Sequence, residues 1–370
     1  MSLTPVQRGL GAGACLGALA ALAIYLARGV SLAPLDAAHG LHEGWSSPPL
    51  SAALSAGFRL LPAQPARAGW AALQALACLG LTALCARELR SWRRPARWLV
   101  AGALVASALP IWHGLKWGEP SVPIAVLSLY ALTRHEPWLL GMAAGLKLYP
   151  ACYGVLYAMR REPRPFAIFA LATLALGVVV PALALGLQFN ALAWDRVLGS
   201  IEQIRSQPVT LYQTLPALIA KWIGGWPRLV RLLLTAAACS VLIAATWLRC
   251  YQRRNQPIAS LDAAGIVLCT TLLVAPAWLH YYAVLPFAQA VLLARADRWS
   301  ARVWLLIASY ALSTVPLCLT LLSPQFFALL SATGLLPLSA ALGLIGLWTC
   351  PAREPASAAL AGPEPLAVSP

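Results

Sequence analysis

The chain has 370 residues, 60% of them apolar and 11% charged, a formal net charge of +15 and a mean hydropathy of +0.72. A soluble domain carries about 25% charged residues; here apolar residues instead form blocks of about 14–22, the mark of a polytopic membrane protein. The arginines sit in short loops between those blocks, not on an aromatic and basic soluble face, which excludes nucleic acid as the partner and follows the positive-inside pattern.

The first block, 10–28, is long, lacks a convincing cleavage site and precedes many similar blocks, so it reads as a membrane helix and not as a signal peptide. The others fall at 67–86, 98–112, 119–133, 138–158, 165–187, 229–248, 262–279, 281–294, 302–320 and 326–348. Several are too short to cross a bilayer as one straight helix at ~1.5 Å per residue. The predicted fold class is therefore all-α, in one integral membrane domain over 1–350, with about 9–11 membrane helices including short or broken ones. The tail 351–370, rich in Pro and Ala, reads as a disordered cytoplasmic segment.

Basic loops at 88–97, 133–137, 159–164, 247–255 and 294–302 are assigned to the cytoplasm, and the N-terminus with them. The other side then holds two long segments, 29–66 with a partly re-entrant stretch and 188–228. One conflict follows. TRHEP and MRREPR flank the single block 138–158, yet both belong on the basic side. Two short helices that dip in and return, broken near Tyr149-Pro150, resolve it. A single tilted helix with imperfect charge bias is the alternative.

Lys147 stands in that block. An ammonium in hydrocarbon costs several kcal/mol, so it faces a cavity, a partner charge or the headgroups. Two roles stay open: meeting a phosphate at the inner end of a re-entrant element, or snorkelling.

Polar residues also collect on the far side. The first outer segment carries Asp36, His39, His42 and Glu43. Asp36 has the chemistry of a general base, although a lone loop Asp is often only solvated. Without a second ligand cluster the histidines and Glu43 do not make a metal site, and no metal is assigned. In the second segment, Arg196 and Arg205 suit a lipid phosphate or the interface equally. WLHYY places Trp278, His280, Tyr281 and Tyr282 at a block end, and HGLKWGEPS adds His113, Lys116 and Glu119. Aromatic anchoring accounts for the tryptophan and tyrosines. The histidine is a potential donor to an anion. The nine cysteines read as small buried hydrophobes.

Three motifs carry a resemblance. They are GMAAGLKLYPACYGVLYAMRREPR with its Lys-x-Tyr-Pro core, PAWLHYY with Pro276, Trp278, His280 and Tyr282, and Asp36 followed by WSSPPL with Pro48 and Pro49. WGEPS is a weak fourth, with Gly118 and Glu119 in place of Gly-Gln. Together, over roughly 28–290, the chain resembles bacterial glycosyltransferase family 87, whose members are membrane transferases of the GT-C type. The chain departs from the family pattern at the serine before Pro-Pro and at Tyr281.

The resemblance implies a transferase that moves a sugar, mannose by preference, from a polyprenyl-phosphate donor to an extracytoplasmic glycolipid or polysaccharide hydroxyl, with inversion. It implies no cofactor beyond the lipid-linked donor, and membrane lipids as surroundings. Asp36 becomes the expected base. His280, Lys147, Tyr149, Tyr282, Trp278, Arg196 and Glu119 become the expected donor-phosphate or substrate contacts. A transporter or flippase and a non-catalytic envelope-assembly protein are the competing classes. Inverted repeats and paired charged broken helices, the marks of a transporter, are not evident in the sequence.

Overall fold

The computed structural model describes residues 3–28, 48–51, 54, 61–116, 118–206, 213–256, 258–274, 279–296, 298–323, 325–326, 329 and 333–350, without the side chains of 25–28, 196, 198 and 200–206. Its regular structure is helical, and the protein is an all-α, multi-pass membrane protein. Helices Pro5–Arg28 (α1) and Ala63–Glu88 (α2) precede a bent pair, Arg94–Ala106 (α3) and Leu109–Lys116 (α4). Ser121–Arg134 (α5) and Pro137–Leu146 (α6) lead to a 3-10 turn at Tyr149–Gly154 and a short helix, Val155–Met159 (α7). Pro163–Leu174 (α8) runs through a π segment into Val180–Leu185 (α9). Then come Leu187–Ser206 (α10), Leu215–Trp222 (α11), Arg228–Gln252 (α12) and Ser260–Leu273 (α13). A second 3-10 turn, Leu279–Val284, opens Leu285–Ala294 (α14), followed by Ala301–Leu322 (α15) and Leu335–Trp348 (α16).

Among the described residues, five helical stretches are long and apolar enough to cross a membrane: Pro5–Ile24, Ala63–Glu88, Pro163–Leu185, Arg228–Gln252 and Ala301–Leu322. The bent pair α3 and α4, kinked by 62°, makes a sixth. Leu229, Leu232, Val241 and Leu248 on α12 and Leu171, Leu174 and Leu183 on α8–α9 are exposed. In water such a surface is a liability; against lipid tails it is the expected one. The remaining apolar helices are shorter and line the interior.

Block 138–158 is broken, as the loop parity predicts. The sequences RHEP and RREP make the same turn twice. His135 (φ 59°) and Arg161 (φ 57°) each take the left-handed conformation that closes a helix. Glu136 and Glu162 then donate their N–H to Ala131 O at 2.8 Å and Tyr157 O at 2.9 Å. Pro137 and Pro163 start the next helices, where a missing N–H costs nothing. The two turns touch, with His135 Nε2 3.6 Å from Glu162 Oε2 and the His135 ring edge-on to Tyr157. Both ends of the element therefore lie together on one rim. Its middle reaches inward to Lys147, whose backbone is extended (φ −148°, ψ 136°).

The break has a local cause. Pro150 has no N–H to give to the carbonyl of Leu146 four residues back, and Ser51 Oγ donates to that carbonyl instead. α13, the extended Val274, the second 3-10 turn and α14 repeat the pattern, so blocks 262–279 and 281–294 form another broken element. The kink between α3 and α4 had no counterpart in the sequence reading. There Ser107 caps α3 and accepts from Tyr310 Oη at 2.9 Å, while Pro110 starts the next helix.

The re-entrant element stands close against α8. A Cβ on Gly141 would meet Ala172 Cβ at 2.5 Å and Phe169 O at 2.9 Å; one on Gly154 would meet the Phe169 ring at 2.1 Å. Gly141→Val is expected to destabilise the fold by about 1–3 kcal/mol, the usual cost of overpacking. A lowered midpoint of thermal unfolding in detergent, with Gly102→Val unchanged because Gly102 faces open space, checks it.

Candidate active site

Three broken elements bring polar groups to one place. α4 contributes His113, the α4–α5 turn contributes Glu119, the break after α6 contributes Lys147, and the second 3-10 turn contributes His280 and Tyr281. Glu119 is the hub. Its Oε2 lies 2.9 Å from Lys147 Nζ and 3.7 Å from His280 Nε2, and Ser121 Oγ stands 3.5 Å from the same ammonium. Lys147 Nζ also sits 4.6 Å from the centre of the Tyr281 ring, a cation–π distance.

The backbone fixes this carboxylate. Gly118 turns with φ 63°, open to a residue without Cβ. Glu119 N–H then donates to Gly114 O at 2.9 Å. Gln74 Nε2 donates to Glu119 O at 2.8 Å and Trp70 Nε1 to Gly118 O at 3.1 Å. Two side chains of α2 thus hold the turn that carries the hub. The ring stacks are continuous with it: His113 on His280 at 5.6 Å, and Tyr149 on Tyr281 at 4.6 Å.

The site is screened but reachable, since the side chains of Lys147, Glu119 and His280 are 12%, 19% and 5% exposed. It stands away from the basic rim. α5 runs from Ser121 beside Lys147 to Arg134 beside the His135–Glu162 contact, and 14 residues at ~1.5 Å each separate the two by about 20 Å. In such surroundings a charged pair is stronger than in water, and a bare ammonium is costly. Lys147 is therefore not a snorkelling lysine; it is neutralised by a carboxylate and framed by aromatic rings. The set can hold an anionic oxygen through Lys147 and His280 while Glu119 fixes both.

Of the residues expected to contact substrate, Lys147, Glu119, His280 and Tyr149 meet here. Tyr282 is buried nearby but faces another way and donates its hydroxyl to Gln213 O, tying the second outer segment to the 3-10 turn. Asp36 and Trp278 lie outside the described residues, as do His39, His42, Glu43 and the side chains of Arg196 and Arg205. Ser51, at the far end of Asp36's loop, reaches the Lys147 break through Leu146 O. Sequence reasoning did not single out Ser121, Gln74, Trp70 or Gln213. A polar residue on an otherwise apolar stretch, as Gln74 is, was the available signal. Among the described residues no three of His, Cys, Asp and Glu gather to hold a metal.

Comparison with known proteins gives a consistent result. The sequence model of glycosyltransferase family 87 matches residues 45–276, which include Glu119 and Lys147. A polyprenol-phosphate-mannose-dependent alpha-(1-2)-phosphatidylinositol mannoside mannosyltransferase of Mycobacterium tuberculosis is 27% identical over 268 residues, 66% of this chain and 60% of the relative. No solved structure matches the chain.

Proposed function

The chain belongs to glycosyltransferase family 87, and from that premise we propose that it transfers a sugar, mannose by preference, from a polyprenyl-phosphate donor to a hydroxyl of a glycolipid or envelope polysaccharide. The observation that carries the reading is the Lys147–Glu119–His280 cluster, set where three broken membrane elements meet. Mannose is favoured by the mycobacterial relative's donor. In this reading the protein is a bacterial inner-membrane enzyme with its basic rim and N-terminus in the cytoplasm and its site toward the other side.

The chemistry asks little acid of the protein. The donor is a phosphodiester. As the acceptor oxygen bonds to the anomeric carbon, the bond from that carbon to the phosphate oxygen breaks, and polyprenyl phosphate leaves as a monoester. Negative charge grows on the leaving oxygen, so preset cations and N–H donors stabilise the transition state more than the ground state. Lys147 and His280 fill that role, and the stacked rings of Tyr149 and Tyr281 wall the site beside them. Asp36 takes the acceptor's proton, with attack from the face opposite the phosphate and hence inversion.

Membranes containing the protein are incubated with polyprenyl-phosphate-[14C]mannose and the label in lipid and polymer fractions is followed. Wild type is expected to transfer label, and Asp36→Asn to do so about 100- to 10,000-fold more slowly, the usual range for a general base. Full transfer by a folded Asp36→Asn protein would remove Asp36 from the mechanism. Movement of labelled lipid between leaflets with its sugar still attached would replace a transferase by a flippase.

A further inference from the structure

On the rim opposite the candidate active site, the ends of α12, α13 and α16 meet around a shallow crevice lined by Arg249, Arg253, Asp262, Leu347, Trp348 and Cys350, among others. Arg295 and Arg302 line a second crevice that shares Cys350, and Arg302 Nη1 approaches Cys350 Sγ at 3.9 Å. Positive charge is in excess here. Asp262 is shared by Arg160 and Arg253, at 3.7 Å each, and Glu162 answers Arg160. Arg249 and Arg302 remain beyond these ion pairs.

Two residues that line the first crevice each carry a buried N–H without an acceptor among the described residues. The Arg253 side chain is 8% exposed, and among the described residues its Nε has no hydrogen-bond partner; nor has the indole Nε1 of Trp348. A buried guanidinium N–H left without an acceptor is destabilising, so an anionic acceptor at the crevice offsets a standing penalty. The position says which anion. The crevice lies at helix ends on a basic rim, next to α12, whose Trp247 and Leu248 are exposed to the bilayer. A ligand there has its charged end at headgroup depth and its tails against α12.

We propose that this crevice is a binding site for an anionic glycerophospholipid, whose phosphate is held by Arg253, Arg249 and the Trp348 indole N–H, with Arg302 and Arg295 adding field from the adjoining crevice. Anionic lipids of the cytoplasmic leaflet are attracted to such basic pockets between membrane helices. Arginine suits the task because its planar donor set matches phosphate oxygens. The site stands apart from the proposed transfer reaction: α5 alone puts about 20 Å between the rim and Lys147.

The test is thermal unfolding of the delipidated full-length protein in detergent, titrated with phosphatidylglycerol, phosphatidylcholine or inorganic phosphate. Native mass spectrometry counts the lipids retained. Phosphatidylglycerol is expected to raise the midpoint and to survive as a bound adduct, with phosphatidylcholine giving a clearly smaller rise. Arg249→Gln should lose at least half of the phosphatidylglycerol effect, and so should Trp348→Phe, which removes the indole N–H while keeping an aromatic ring and gives a second variant if the arginine one is unstable. Equal effects of the two lipids would overturn the proposal, and so would an undiminished phosphatidylglycerol effect in both variants. A rise with inorganic phosphate that matches the lipid would make the crevice a small-anion site and would overturn the lipid assignment.

Discussion

Lys147→Ala is expected to lower sugar transfer by about 100- to 1,000-fold in a protein that still folds, the range for removing one preset donor from a developing oxyanion. Its ammonium is in direct contact with Glu119 and stands over the ring of Tyr281. The loss should fall on kcat more than on KM, because charge on the leaving phosphate grows along the reaction. A structural role would give a different pattern. Without Lys147, the partly buried Glu119 carboxylate loses its closest partner, so Lys147→Ala alone should also unfold at lower temperature. Lys147→Ala combined with Glu119→Gln removes that stranded charge, and is expected to regain stability but not transfer. Initial rates on labelled donor and unfolding midpoints of wild type and the two variants decide it. Transfer within about threefold of wild type in folded Lys147→Ala (under 1 kcal/mol) would take Lys147 out of the site.

The sequence disclosed more of this arrangement through charge than through hydropathy. Hydropathy marks the long lipid-facing helices, α12 above all, but it cannot tell one short buried block from half of a broken element. Loop parity can: RHEP and RREP both belong on the basic side, so 138–158 must return, and the His135–Glu162 contact closes that hairpin. The same logic applied to 247–255 and 294–302 also returns 262–294 to the basic side, which the sequence reading met with two separate blocks, 262–279 and 281–294.

The site was legible as residue types but not as partners. Lys147 and His280 stood out because charge and imidazole are costly in a bilayer. Glu119 carried only a weak motif match, yet it holds the other two. The pairing depends on the kink at Ser107, which turns α4 and the Gly118–Glu119 turn toward the second 3-10 turn. Pro110 was the local signal of a break in that block, but the hydroxyl partner of Ser107, Tyr310, lies some two hundred residues away in sequence.

The largest stability effect is expected at the opposite rim. Arg160, with a side chain 2% exposed, ends the first re-entrant element and reaches across to the close of α12. Its guanidinium donates to Arg253 O at 3.2 Å, Arg254 O at 3.3 Å and Gln256 O, and Nε bonds Glu162 Oε1 at 2.9 Å. Those carbonyls follow the last turn of a helix and have no partner within it. Asp262, at the head of the second broken element, completes the pairing at 3.7 Å. One side chain thus satisfies a helix end and links the feet of both re-entrant elements, whose tips carry Lys147 and His280. Arg160→Ala takes one of two arginine partners from the buried Asp262 carboxylate and the side-chain donor from the carbonyls of Arg254 and Gln256, which is expected to cost up to about 3–5 kcal/mol. Arg160→Lys keeps the charge but cannot reach several acceptors at once, and should fall between alanine and wild type. If the feet set the spacing of the tips, the transfer rate of folded Arg160→Lys should drop although its substitution lies about 20 Å from Lys147. Unfolding midpoints of the two variants beside transfer rates of Arg160→Lys test both halves, and a fully stable Arg160→Ala protein would show that the rim does not hold the elements together.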